Sequence, residues 1–183
     1  MRESCARFLA ESLLSSVGTR LQHSRTAARR ATDARDFLDE PWRSALVPAM
    51  WLHDVGYNPA LVGSGFHPLD GARFLKASGW ATEICQLVAW HTTAGIEAQL
   101  RGLFSELQTF ARPPLLAMEA IAWADLTSSP SGATVDAEGR LAEILARYPS
   151  GSIVHRSITA TRTELSEAAC RMERRLALIR GTE

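Results

Sequence analysis

Apolar side chains recur along this chain at the three- and four-residue spacing of amphipathic helices, and short polar breaks separate the runs. Glycine and proline mark several of these breaks, as at Gly18, Gly79 and Pro113-Pro114. The predicted helices cover residues 3–16, 20–37, 41–56, 67–77, 81–91, 96–110, 114–127, 136–147 and 152–180. No run has the strict alternation of a strand, and no repeat is evident. The pattern therefore predicts an all-α, single-domain helical bundle over residues 1–183.

The composition agrees with one domain that has a real core. The 183 residues are 46% hydrophobic and 22% charged, with a formal net charge of zero, which excludes a disordered chain. A zero balance argues against a nucleic-acid polymer as partner, because such proteins are usually basic. No apolar stretch approaches the ~18 residues of a membrane span, and no signal peptide is recognisable, so we expect no membrane association. Oligomerisation stays open.

The cysteines point to a reducing compartment. Cys5, Cys85 and Cys170 are far apart in the sequence and odd in number, which favours free thiols over a disulfide framework. No CxxC pair is present, so a cysteine zinc site is not expected. We therefore predict a cytoplasmic protein.

The pair His53-Asp54 is the first candidate for chemistry, because it follows an apolar helical run that ends in Trp51-Leu52. A buried imidazole next to a buried carboxylate is costly unless the groups are paired or bind a metal. Nitrogen and oxygen donors together suit Zn, Fe, Mn or Co. The alternative is an aspartate at a helix end beside an ordinary histidine, and the dipeptide alone does not separate the two.

Three further residues repeat this pattern. His91 follows the apolar run that ends in Trp90, and Asp125 follows Ala120-Ile121-Ala122-Trp123-Ala124. His23 lies within a predicted helix among small side chains, which would let a second helix pack closely enough to share a ligand. For Asp125 the alternative is a helix-terminal residue that hydrogen-bonds the backbone.

Taken in order, these residues resemble the HD superfamily of metal-dependent phosphohydrolases. Five segments carry the resemblance: HSRTA from His23, WLHDVGY from Trp51, HPLDGA from His67, HTTAG from His91, and AD at Asp125. The segment at His67 is similar to the HP-x-x-G motif of two-metal branches. The segment at His91 resembles the HTTG motif of bacterial symmetrical diadenosine tetraphosphatases.

The resemblance implies a helical bundle whose metal-site core covers about residues 20–130, with the helices of residues 136–180 packed on it. It also implies a centre of two divalent ions, for which Fe, Mn, Co, Zn and Mg are not distinguished. His23, His53, Asp54 and Asp125 would hold the first ion, and Asp54 would bridge to the second. The ligands that would complete the second site are His67 and His91.

The function implied by the resemblance is hydrolysis of a phosphate ester or anhydride, with a nucleotide as the expected small substrate. Asp54 would be the catalytic residue that orients the attacking hydroxide. Arg25, Arg73 and Lys76 are candidates for contacts to the substrate phosphate. The segment Gly56-Tyr57-Asn58 departs from several hydrolase branches, which have Lys or Glu shortly after the His-Asp pair, so no substrate of a named branch is carried over.

Two alternatives accompany this hypothesis. The same six ligands are similar to those of HD-type mixed-valent di-iron oxygenases that act on small organophosphonates or polyols. A third reading is a non-catalytic HD protein that keeps its metal for stability or sensing. The ligand pattern alone does not decide between hydrolase and oxygenase.

Overall fold

A computed structural model describes residues 2–180 of the chain. The predicted domain range therefore includes Met1 and residues 181–183, which lie outside the described residues. Over the described range the chain forms ten α-helices and three short 3₁₀ helices. In chain order the α-helices are α1 (Arg2–Leu14), α2 (Arg20–Ala34), α3 (Trp42–Leu52), α4 (His67–Ala77), α5 (Thr82–Trp90), α6 (Ala94–Arg101), α7 (Phe104–Leu107), α8 (Leu115–Leu126), α9 (Ala137–Arg147) and α10 (Ile153–Arg180).

The predicted all-α, single-domain bundle is confirmed, since no β-strand occurs between residues 2 and 180. Two predicted elements were wrong in their extent, and one of them is the helix predicted over residues 41–56, which ends at Leu52. The single helix expected over residues 96–110 is divided into α6 and α7, because Gly102 adopts a left-handed conformation (φ 72°) that ends α6. Apolar periodicity continues across this break, and only the backbone of the glycine reveals it.

Helix α3 lies at the centre of the bundle. Every residue from Ala45 to Leu52 is buried, and the helix packs against α1, α2, α5 and α8. Pro48 sits inside α3, in a segment whose surroundings are apolar on all sides. A helix that is apolar around its whole circumference belongs in a core. The residues that directly follow the last turn of α3 therefore lie inside the protein.

Helix α10 fastens the C-terminal part of the chain to this core. It packs along α8, where the buried Glu119 accepts hydrogen bonds from Arg171 at 2.6 Å and from Arg175 at 2.8 Å. The indole Nε1 of Trp123 donates to Glu173 at 2.6 Å. Among the described helices, none combines the length and the apolar character that crossing a membrane requires.

Candidate metal centre

Six side chains from five helices meet at one end of the central helices. Helices α3, α5 and α8 all reach this point with their C-terminal ends, where the carbonyl groups give the helix dipole its negative pole. Three C-terminal ends directed at one place favour a cation there. The six side chains are His23 of α2, His53 and Asp54 after α3, His67 at the start of α4, His91 after α5, and Asp125 in the last turn of α8.

His23, His53 and Asp54 form the first ligand group, whose donor atoms lie close enough to hold one metal ion. The Nε2 atom of His53 lies 3.7 Å from Asp54 Oδ2. Asp125 adjoins this group, because its Oδ1 lies 3.0 Å from His23 Nε2 and 4.0 Å from His53 Nε2. All four of these side chains are buried or nearly so, and the exposed fraction is largest for Asp125, at 16%.

Asp54, His67 and His91 form the second ligand group. The Nε2 atoms of His67 and His91 are 3.1 Å apart, and His67 Nε2 lies 3.6 Å from Asp54 Oδ1. Neighbouring ligands on one ion lie about 3.0–3.4 Å apart when each bond is about 2.1 Å long. The His67–His91 spacing falls in this range and the His67–Asp54 spacing lies just above it, so the three donors could hold a common ion. Asp54 belongs to both ligand groups.

Two of the histidines are fixed in the tautomer that a metal needs. His53 Nδ1 lies 2.8 Å from the carbonyl of Met50, and His91 Nδ1 lies 2.7 Å from the carbonyl of Val88. A carbonyl only accepts, so in each neutral ring Nδ1 carries the proton and Nε2 presents its lone pair to the cluster. His53 Nε2 is fully buried and has no hydrogen-bond partner. Such an orphaned lone pair is costly, and a metal ion would satisfy it.

The protonation states of His53, His67 and Asp54 suit metal binding. At His23, by contrast, the hydrogen bond to Asp125 and the negative charges of Asp125 and Asp54 together outweigh burial and raise the pKa. Burial lowers the pKa of His53 and, more strongly, that of His67, so both rings are neutral at neutral pH. Burial by itself would raise the pKa of Asp54. At the low pH where this carboxyl would titrate, His53 is protonated; its charge and that of Arg20 outweigh burial, and the Asp54 pKa falls well below its usual range. Neutral imidazoles beside ionised carboxylates are the forms that bind divalent ions.

A layered contact holds Asp54 and His67 in position. The Arg20 guanidinium donates to Asp54 Oδ2 at 3.0 Å and lies over the ring of Tyr57, 3.9 Å from its centroid. On its other side Tyr57 stacks on His67, with ring centroids 3.9 Å apart and planes 18° from parallel. One arginine thus orients the shared carboxylate, and one tyrosine orients a histidine of the second ligand group.

The start of α4, and with it His67, is held by backbone contacts that only glycine allows. A Cβ added at Gly56 would collide with the carbonyl of His67 and would lie 2.7 Å from the amide nitrogen of Gly71. The loop before α4 is tied down by Asp70, which accepts from the Ser64 amide at 2.8 Å and from the Gly65 amide at 3.1 Å. The position of His67 therefore depends on a close approach between two backbone segments.

Thr92 braces the other side of the cluster. It is the residue after His91 and the one non-glycine residue with positive φ (49°) among the described residues. Its hydroxyl donates to Asp125 Oδ2. For a β-branched residue this conformation is strained. In this conformation the Thr92 hydroxyl orients Asp125, a candidate ligand.

The arginine and lysine side chains predicted to bind phosphate lie elsewhere. Arg25 is 3.6 Å from Glu11, Arg73 pairs with Glu106, and Lys76 sits over the ring of Phe110. The structure does not bring any of them to the cavity at the cluster. That cavity has a volume of about 90 Å³, and its basic lining residues are Arg20, Arg140 and Arg147.

A second cavity, of about 600 Å³, adjoins the first. It lies between α6 and the helices α8 and α10, with Trp90 and Phe104 among its apolar lining residues. Both cavities are bordered by Thr92 and Thr93. The short segment after His91 therefore lines both the small cavity at the cluster and the larger one.

Several residues of this site had weak or no signals in the sequence. Tyr57 and Thr92 stand inside the motifs around His53 and His91, but nothing in the motifs marked their contacts. Arg20, Arg140 and Arg147 belong to ordinary helical segments in a chain with many arginines. Only their distances in the folded protein distinguish them from the other arginines.

Comparisons of this chain with protein-family models, curated proteins and solved structures find no match. The site is therefore characterised by its own geometry. That geometry provides two groups of buried histidine and aspartate side chains, joined through Asp54, each of which could hold a metal ion.

Proposed function

We propose that this protein is a metal-dependent phosphohydrolase of the HD type, with a centre of two divalent ions. The observation that carries the proposal is the position of Asp54. Its Oδ2 lies 3.7 Å from a nitrogen of the first ligand group and its Oδ1 lies 3.6 Å from a nitrogen of the second. A carboxylate shared in this way is suited to bridge two ions.

The balance of charge supports the same conclusion. Asp54 and Asp125 are two ionised carboxylates in a nearly closed site, and Arg20 is the cation that pairs directly with Asp54. Neutral His53 and His67 add donor atoms but no charge. Buried charges need compensation, and divalent ions would supply it while satisfying the lone pair of His53 Nε2.

Each residue of the cluster has a part in the proposed reaction. When bound, divalent ions lower the pKa of a coordinated water and offset negative charge on phosphoryl oxygens. The Asp54 carboxylate accepts a hydrogen bond from the attacking water and so orients it. Arg20 keeps that carboxylate ionised and in place through its 3.0 Å hydrogen bond. Asp125 is oriented by His23 and Thr92.

The size of the cavity limits which substrates it could hold. At about 90 Å³ the cavity at the cluster is smaller than the ~300–1,000 Å³ of pockets that enclose whole small molecules. It would accommodate a compact phosphorylated group but not a whole nucleotide. A nucleotide would have to place its nucleoside in the adjoining cavity of about 600 Å³, past Thr92 and Thr93. A compact sugar or alcohol phosphate would not need the second cavity.

The same small volume favours a second candidate function. A mixed-valent di-iron oxygenase acting on a small organophosphonate or polyol would use the same six side chains and a compact substrate. In that case the protein would require iron and would consume dioxygen, whereas a hydrolase needs neither. The metal and the oxygen requirement therefore separate the two proposals.

The deciding experiment starts with elemental analysis of the purified protein. The protein is then loaded with Mn²⁺ under anaerobic conditions and screened for phosphate release. The substrates are nucleoside mono- and diphosphates, dinucleoside polyphosphates and small alcohol phosphates. We expect turnover without oxygen, and loss of turnover in Asp54→Asn. His155→Ala, which removes the histidine outside the cluster, serves as the matched control and should stay active.

Other outcomes would contradict the proposal in distinct ways. Oxygen consumption by an iron-loaded protein with a phosphonate or polyol, without anaerobic phosphate release, would replace the hydrolase with the oxygenase. Bound metal without any turnover, together with an Asp54→Asn variant that still binds the metal, would favour a non-catalytic metal protein.

A further inference from the structure

One face of α9 forms a wall of the cavity at the cluster. The residues of this helix that line the cavity are Arg140, Ile144 and Arg147, and Tyr148 directly after the helix also lines it. The spacing of four and three residues places the three helical residues on a single side of α9. Leu141 and Arg140 are the residues of α9 that are buried, so the helix is anchored by its first half and presents two arginines to the cavity.

Arg140 is unusual because it is a buried arginine with an unused donor. Its side chain is only 8% exposed, yet its Nε atom has no hydrogen-bond partner. An arginine is always charged, and leaving a buried N–H of a charged group unsatisfied is expensive. A ligand oxygen that reached Nε would remove that cost.

The carboxylate that pairs with Arg140 is shared. Glu143 accepts a hydrogen bond from Arg140 Nη1 through Oε2 and another from Arg147 Nη2 through Oε1. The Glu143 side chain is 43% exposed. Two guanidinium groups thus share a single carboxylate at the rim. The wall formed by α9 therefore carries a net positive charge toward the cavity, opposite the two carboxylates of the cluster.

We propose that Arg140, assisted by Arg147, binds a second anionic group of the substrate, beside the group that reaches the metal centre. This inference rests on the proposed function, because it assigns that function a substrate class. The substrate would be compact and carry two oxyanion groups, such as a diphosphate or a phosphate ester with a neighbouring carboxylate. Planar guanidinium groups bind phosphate and carboxylate oxygens through paired hydrogen bonds.

The pairing of the other charged groups around the cavity supports this assignment. Arg20 is already occupied by Asp54, and Glu97 is occupied by Arg101 at 2.7 Å. Arg140 and His23 line the same small cavity. An anion bound at Arg140 would thus lie next to the first ligand group. Ile144, Val154 and Ile158 contribute apolar lining to the same cavity.

The test measures binding of two small probes to the Mn²⁺-loaded full-length protein by titration calorimetry. Pyrophosphate offers a second phosphate, and phosphonoacetate offers a carboxylate in the same place. We expect Arg140→Gln to weaken the tighter-binding probe by roughly 10- to 100-fold, and Arg147→Gln by roughly threefold, because Arg147 is more exposed. The matched control is Arg162→Gln, which removes an exposed α10 arginine paired with Glu138, and it should bind like the wild type.

A second variant covers the case in which Arg140→Gln does not fold. Arg140→Lys keeps the charge but lacks the Nε donor and the planar fork, so it should fold and still weaken binding several-fold. Thermal unfolding and manganese content are measured for every variant. Weakened binding with unchanged metal content supports the proposal, and affinities for both probes within twofold of the wild type in folded variants would overturn it.

Failure of the proposed function gives a different result. If the wild type takes up no metal, the proposed dinuclear hydrolase fails. In that case the probes are titrated into chelator-treated protein, and the affinities of Arg140→Gln and the wild type are compared. Affinities within twofold of each other would again overturn the second oxyanion site. If metal binds and phosphate is released, but Arg140→Gln changes the affinity for neither probe, the proposed hydrolase function is supported and the proposed second oxyanion site is rejected.

Discussion

The two ligand groups share Asp54 but are held together by different means. In the first group, His23 and the adjoining Asp125 hydrogen-bond each other across α2 and α8 at 3.0 Å, and both helices are embedded in the core. In the second group, His67 begins α4 and depends on a stack with Tyr57 and on the contact of α4 with Gly56. The first site is therefore built into helix packing, while the second depends on one close backbone contact. The two should be separable by mutation.

The largest effect is expected where the groups meet. Asp54→Asn removes the charge that both sites share and leaves Arg20 without its buried partner, so both ions should be lost. Metal content after gel filtration measures this directly. The control His155→Ala should keep its full metal content. A variant that retained both ions would show that Asp54 does not bridge.

Gly56→Ala should break the second group and spare the first. The added Cβ would collide with the His67 carbonyl, so the start of α4 must shift, at a cost of about 1–3 kcal/mol in the free energy of unfolding. Chemical denaturation and metal analysis would show lower stability with one ion retained. Gly63→Ala is the matched control, because its Cβ would meet its nearest neighbour, Asp70 Oδ1, at an ordinary 3.5 Å. Equal effects at both glycines would refute the argument.

A narrower change to the second group is His67→Ala. It removes one ligand, leaves the backbone contact intact, and should cost the second ion with little loss of stability, because this ring is 16% exposed. Metal titration followed by electron paramagnetic resonance of Mn²⁺ would register the change from a coupled pair to a single ion. Loss of both ions in His67→Ala would mean that the sites are not separable.

The smallest effect is expected at Thr92. Thr92→Val keeps the branched shape but removes the hydroxyl that orients Asp125. Loss of such an orienting hydrogen bond typically lowers metal affinity by about tenfold or somewhat more, so the first group should weaken and the second should not. Competition with a chelator measures the two affinities. Thr93→Val, whose side chain makes no hydrogen bond to Asp125 among the described contacts, should leave both unchanged.

Much of the fold could be predicted from apolar periodicity and from glycine and proline positions. The predicted helix over residues 67–77 agrees with α4 at both ends, because Pro68 suits a first turn and Gly79 follows the last one. Helices α9 and α10 begin within one residue of the predicted starts. The division between α6 and α7 was missed because the apolar spacing continues through Gly102, and spacing alone does not report a left-handed backbone.

In the candidate site, too, some residues could be predicted from the sequence and others could not. Each of His53, His91 and Asp125 comes at or near the end of an apolar helix, and that position was sufficient to select them as candidate ligands. His53 and His91 are buried, and Asp125 is 16% exposed. The charged side chains around them could not be assigned in the same way. Arg25, Arg73 and Lys76 were chosen for their closeness in sequence to the motifs, and each lies away from the cavity with another partner.

Local sequence therefore determined which helices form, which of their ends are buried, and which residues are candidate ligands. The tertiary structure decided that Arg20 pairs with Asp54 and that α9 supplies the arginines facing the ligand groups. The reason is physical. Burial follows from the periodicity of neighbouring residues, but electrostatic pairing depends on distances between side chains that are 34 residues apart for Arg20 and Asp54. Only the packing of the helices sets those distances.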